Sequence, residues 1–388
     1  MGRGLASPFG YFSEVETMEI AGCAVIFWTC RYGMTNRNHC MALLYFLIAL
    51  GVGETALGYY LSNHPEWFPF GPTEQAHVRY APHWIGTYSS PHSYACFLVM
   101  TVGVALALGS FSKLAWPVRI VFCYLALMMI IGIIYSGSKE GWVTLLAGIG
   151  ALVVIGIRNG TLRWWVPVTA ALSLIGMSES LFSFSQITQA RWGEAHGLLM
   201  GGAQADLRVQ MTRDALRFAR EHLVWGAGAG AFSALHVGKL GNSFAIGSDL
   251  PPNDYLNCLD EYGVIGLGIA LFFAAAITLK FFRPLVVDNR WQDRVLVAAG
   301  FAVWVGLLVY SLLDFNLHIP ANALLLFALI GLAMSRIKDE IERHWSTVSL
   351  APLSRWVGWT VILLSLFFAW EVASIGAVPW AEVPTGRY

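Results

Sequence analysis

The sequence predicts an all-α, polytopic membrane protein: a transmembrane helical bundle of about ten spans, with one large periplasmic loop carrying short amphipathic helices. Composition is the first reason. Of 388 residues, 56% are hydrophobic and only 12% charged, where a soluble domain carries roughly 25% charged residues. Mean hydropathy is +0.59, and an aqueous core stops growing near about 250–300 residues, so one soluble domain could not hide this much apolar surface. Pattern is the second reason. The apolar residues fall in unbroken runs, not in the alternating segments of a barrel. In lipid, only helices or a closed barrel satisfy every backbone polar group. These observations exclude an ordinary cytosolic enzyme, a disordered chain and a disulfide scaffold. Lys+Arg and Asp+Glu both number 24, so no net field attracts nucleic acid.

The runs lie near 16–31, 41–61, 93–109, 115–135, 141–157, 164–179, 262–281, 294–313, 320–335 and 357–376. A span needs about 20 apolar residues, and runs 1, 6 and 9 are short by that measure. The chain therefore divides into an N-terminal bundle (1–179, about six spans), a large loop (180–261) and a C-terminal bundle (262–388, about four spans).

Loop charge orients the bundle. Arg31 and Arg37, Lys113, Arg158 and Arg163, Lys280 to Arg294, and Arg336 to Arg355 all fall in connections on one side. The opposite short connections hold few cations, such as Arg79 and Lys139. The basic side is thus cytoplasmic, and both termini, loop 62–92 and loop 180–261 face outward. In a bacterium that is the periplasmic face of the inner membrane. The six cysteines form no C-x-x-C pair and mostly lie in or beside apolar runs, which predicts buried thiols.

Within the long loop, Ala205–Val224 reads as an amphipathic helix. Leu207, Met211, Ala215 and Phe218 share one face, and Arg213, Arg217 and Arg220 share another. The glycines at 226, 228 and 230 follow no strand, so they read as a helix-terminating turn and not as a phosphate cradle.

Ionisable residues at the outer boundary are the candidates for chemistry, because such groups are costly near lipid. In the turn Ser136-Gly-Ser-Lys139-Glu140, Lys139 either pairs with Glu140 or holds a phosphate. Arg208 lies on a mostly apolar helix face and needs an anionic partner, either a carboxylate or a ligand phosphate. From Asn253 a helix would place Asp254, Asn257 and Glu261 on one face, with Asn253 or Asp254 as its N-cap. In the segment Asp314-Phe-Asn-Leu-His318, alternation places Asp314, Asn316 and His318 together, either capping the next run or serving a site. His64, His77, His83 and His92 lack metal-ligand spacing.

These motifs together resemble the O-antigen ligase/polymerase family of bacterial surface-polysaccharide assembly, from about residue 40 to 335. The resemblance is carried by Gly86-Thr-Tyr-Ser-Ser-Pro-His-Ser-Tyr94, the turn at 136–139, Arg208, the Gly/Ala stretch at 221–232, N-D-Y-L-x4-E-Y-G from Asn253, and D-F-N-L-H-I-P-A-N-A from Asp314. It implies an inverting, metal-independent membrane glycosyltransferase without a cofactor. The donor would be a polyprenyl-pyrophosphate-linked glycan and the acceptor a lipid or glycan hydroxyl. Lys139 and Arg208 would contact pyrophosphate. The family usually has a histidine immediately before the Asn of N-D-Y-L, where this chain has Pro252, and a tryptophan where it has Met211.

Breaking a sugar–diphosphate bond develops negative charge on the leaving group, which preplaced cations stabilise best where water is excluded. The acceptor hydroxyl needs a base or an orienting group. Glu261 or Asp254, then His318, are the candidates, with Ser136, Asn253 and Asp314 in support. A polymerase of the same chemistry, a transporter, or a non-catalytic assembly partner are the alternatives.

Overall fold

The structure is a computed structural model. It describes residues 10–64, 83–158, 203–232, 251, 253–282 and 290–337. Side chains of 10–15, 203–210 and 282 are outside that description. Runs 164–179 and 357–376 also lie outside the described residues.

Every element described is helical, with no strand among the described residues. In chain order the helices are α1 (Gly10–Trp28), α2 (Arg37–Asn63), α3 (Pro91–Phe111), α4 (Trp116–Ser136), α5 (Lys139–Arg158), α6 (Ala203–Glu221), α7 (Asp254–Phe282), α8 (Trp291–Tyr310) and α9 (Pro320–Met334). A π-helical turn, Thr29–Gly33, extends α1, and a 3₁₀ turn, Asn316–His318, precedes α9. Among the described residues, six helices, α2 to α5, α7 and α8, are long and apolar enough to cross a membrane.

Their ends carry local signals. Asn36 caps α2 by accepting from Asn38, and Ser90 caps α3 by accepting from Ser93, with Pro91 opening the helix. α4 stops at Gly137, whose φ of 68° is the left-handed conformation glycine supplies without steric cost.

Two helices form the centre. In α3 and α8, 83% and 78% of the spanning window is buried, against 22% in α4 and 6% in α7. α3 packs on α4, α5 and α8, so spans from both halves of the chain share one core. α5 and α8 approach closely where Gly148 meets the Ala302 carbonyl and Gly306 meets Thr144. Small residues of this kind let helix backbones approach in lipid, where hydrophobic attraction between helices is lost. Four of the cysteines are buried, as expected of apolar thiols; Cys123 is an exception, exposed on α4.

The bundle has two chemically distinct ends. At one, Asp293 accepts both contacts of the Arg37 Nε at 3.0 Å and meets Arg37 Nη2 at 2.9 Å. Arg336 stands 3.7 Å from the same carboxylate and donates to the Met34 carbonyl. At the other end, Glu54 accepts from the Thr87 amide and hydroxyl, and His92 meets Glu140. Arg37, Asp293 and Arg336 thus share one end of the described bundle, and Glu54, Thr87, His92 and Glu140 share the other.

Candidate functional site

The site grows from a break in a spanning helix. α7 begins at Asp254 with Asn253 as its cap: Asn253 Oδ1 accepts from the amides of Tyr255 and Leu256, and its Nδ2 donates to the Leu312 carbonyl. Within α7, Gly263 takes φ 67° and ψ −170°, which interrupts the helix. The backbone groups released there are taken up by the segment after α6. Ala227 and Gly228 donate to the carbonyls of Asp260 and Glu261, and Val264 donates to the Leu223 carbonyl. Irregular backbone at membrane depth persists only where protein satisfies it in this way. The glycine-rich stretch thus ends α6 as expected, and it also docks on the α7 kink. α6 is amphipathic as read: Met211, Ala215 and Phe218 are buried against Phe232, and Arg213, Arg217 and Arg220 are exposed.

The kink places Asp254, Asn257 and Glu261 around His318. His318 Nδ1 lies 3.1 Å from Asp254 Oδ1, and Asn257 Nδ2 lies 2.9 Å from His318 Nε2. The carboxylate makes Nδ1 the protonated nitrogen, so Nε2 is the acceptor of the Asn257 amide. The other Asp254 oxygen accepts from the Leu317 amide at 3.3 Å. Glu261 is fully buried; its Oε1 accepts from the Gly230 amide at 3.0 Å, while Oε2 has no hydrogen-bond partner.

α1 contributes two further carboxylates. Glu16 Oε1 accepts from the Tyr262 hydroxyl at 2.7 Å and stands 3.9 Å from His318 Nε2. Burial pulls the His318 imidazole toward its neutral form. Asp254, Glu16 and Glu19 outweigh that effect and raise its pKa above the ordinary value. Ligand atoms of Glu16, Glu261 and His318 lie within 4.8 Å of one another, close enough to hold a cation.

A second polar group adjoins the turn at 136–139. Ser136 donates to the Ile133 carbonyl and accepts from the Ser138 amide, a supporting role in the turn itself. Ser138 caps α5 by accepting from the Gly141 amide. Glu140 Oε2 lies 3.1 Å from His92 Nδ1 and accepts from the Ser138 hydroxyl. Lys139, half-buried, opens α5 beside them. Asn322 joins the two groups, since it donates to the Ser93 carbonyl and to Asn316 Oδ1. Buried Asp314 accepts from Asn316.

The structure thus brings Asp254, Glu261 and His318 together, with Asn253 and Asp314 holding the surrounding backbone and turn. Arg208 lies in α6, and its side chain is outside the described residues. Sequence reasoning missed Glu16, Glu19 and the His92–Glu140 pair. Two glutamates three residues apart at the start of an apolar run were the available signal for the first.

Residues 124–273 match a family model described as O-antigen ligase. The match supports the O-antigen ligase family. The matched stretch spans α4 to α7, and so contains the turn at 136–139, α6 and the α7 kink. The His318 turn of this O-antigen ligase-like chain lies beyond it. No curated protein matches the chain.

Proposed function

We propose that the protein transfers a glycan from a polyprenyl-pyrophosphate carrier to a sugar hydroxyl, as an inverting, metal-independent glycosyltransferase. The reaction would take place at the periplasmic face of the bacterial inner membrane. The family match supports an O-antigen ligase- or polymerase-type function in general. The observation that carries the finer reading is the Asp254–His318 pair, held at one end of helices long enough to span a membrane.

The acceptor oxygen attacks the anomeric carbon as the bond from that carbon to the diphosphate oxygen breaks. The bonding electron pair leaves on the diphosphate. The acceptor proton passes to His318 Nε2, displacing the Asn257 contact, and Asp254 stabilises the imidazolium through Nδ1. Lys139 and Arg208 offset the charge developing on the leaving group. A histidine on the turn before α9 would thus replace the one that Pro252 removes.

The test uses purified full-length protein, a polyprenyl-pyrophosphate glycan, and either a core lipid or a second lipid-linked repeat as acceptor. Transfer that persists in chelator supports the reading. The preferred acceptor separates ligase from polymerase, and no transfer to either overturns the proposal.

A further inference from the structure

Glu16, Glu261 and His318 come from three elements, α1, α7 and the turn before α9, and converge on one point. Two of the three are carboxylates, with Asp254 and Glu19 close by, and His318 is the only cationic group within this cluster among the described residues. Acidic crowding of this kind does not by itself make a site. The deciding feature is Glu261: it is fully buried, no donor reaches its Oε2, and its carboxyl lies against that of Glu16, so the pair needs either a shared proton or a cation between them. A buried carboxylate oxygen left without a donor is costly unless a cation or a proton meets it.

We propose that Glu16, Glu261 and His318 bind a transition-metal dication of the Zn2+ type, and that this ion inhibits glycan transfer.

The donor set suits such an ion. Imidazole favours zinc-like metals over Mg2+ and Ca2+, and three protein ligands leave a fourth position for water. At metal–ligand distances of about 2.0–2.2 Å, two ligand atoms sit no more than about 4.4 Å apart. His318 Nε2 and Glu16 Oε1, at 3.9 Å, already meet that limit. Glu261 completes the set with a modest inward shift, from within 4.8 Å.

Each ligand also has the outer partner that metal ligands require. His318 Nδ1 is held by Asp254, Glu16 Oε1 by the Tyr262 hydroxyl, and Glu261 Oε1 by the Gly230 amide. The Asp254 contact leaves Nε2 as the donor atom, and the ion displaces the Asn257 amide from it.

Binding stands apart from the transfer reading. Inhibition rests on it, because the ion occupies the same Nε2 lone pair that would accept the acceptor proton. The dication is therefore an antagonist of the reaction, and the transfer itself remains metal-independent.

The experiment titrates Zn2+ into full-length, chelator-treated protein by calorimetry, with Mg2+ and Ca2+ for comparison. Co2+ absorption spectra of the wild type report the coordination without any variant. Saturable one-site Zn2+ binding is expected, together with tetrahedral Co2+ bands and at least tenfold weaker binding in Glu16→Gln. Whatever transfer Glu16→Gln supports is expected to be insensitive to Zn2+, whereas the wild type is inhibited and recovers on chelation. No saturable Zn2+ binding, or equal affinity in Glu16→Gln with octahedral Co2+ bands, overturns the site; a proton shared between Glu16 and Glu261 would give the first result. Binding without inhibition overturns the antagonist role alone. Wild-type protein that transfers nothing even in chelator defeats the transfer reading, while the binding arm still decides the site.

Discussion

His318 shows how single side chains divide the labour. One ring nitrogen is committed to Asp254 and the other is the nitrogen that can change partner. A base held by a carboxylate acts as a unit, so removing either member should cost nearly as much as removing both. Asp254→Asn and His318→Gln are each expected to lower transfer by about 10²–10⁴-fold, with the double variant little worse. Initial rates on matched quantities of folded protein measure this, and near-wild-type rates in Asp254→Asn would remove the pair from the mechanism. Cations on the leaving group form a separate question. Arg208→Ala should abolish transfer while the protein still inserts, as judged by membrane fractionation beside the rate assay. Lys139→Ala should weaken use of the donor and leave acceptor affinity unchanged, as measured by separate KM determinations.

At the scale of elements, the break in α7 is the device that forms the site. A continuous helix through Gly263 would leave no carbonyls for Ala227 and Gly228 and no place for the turn after α6. A Cβ at Gly263 would meet the Val224 carbonyl, and one at Gly226 would meet the Glu261 carbonyl. Both glycines also have positive φ, at 67° and 72°, a conformation that costs other residues about 1–2 kcal/mol before any clash. Gly263→Ala is therefore expected to lower unfolding free energy by more than about 1 kcal/mol. It should also reduce transfer by displacing Glu261, with both effects read by denaturation in detergent and by initial rates. Alanine at exposed Gly268, where a Cβ meets nothing within 4 Å, is the control and should be neutral. The amphipathic period of α6 was legible in sequence, because burial of one face repeats every three or four residues. The kink was not, because Gly263 is one of three glycines in this apolar run, with Gly266 and Gly268, and each is as compatible with close helix packing as with a break.

For the whole molecule, the two ends carry opposite chemistry. Asp293 is nearly inaccessible and sits between Arg37 and Arg336, tying α2, α8 and the end of α9 together. Removing one partner of a buried ion pair strands the rest, typically at about 3–5 kcal/mol. Asp293→Ala should therefore destabilise the bundle by about 3 kcal/mol or more in the same denaturation assay. Cysteine introduced at Arg37 should react with membrane-impermeant reagent only from the cytoplasmic side, and cysteine at Thr87 only from the outside. Labelling of both from one side would contradict the charge-based orientation.

The sequence by itself determined the class of this protein and predicts its orientation, because both depend on sums along the chain. Apolar run length meets bilayer thickness, and the Lys/Arg bias of the loops selects a side. It also marked Asp254, Glu261 and His318, since ionisable groups beside lipid are scarce enough to stand out. Only the tertiary structure decided which of them meet. His318 and Asp254 are far apart in the chain, and Glu16 joins them from near the opposite end of it, through helix packing and a kink that no local pattern encodes. Proximity between distant carboxylates and an imidazole is a property of the packed bundle, and the chemistry proposed for this chain depends on that proximity.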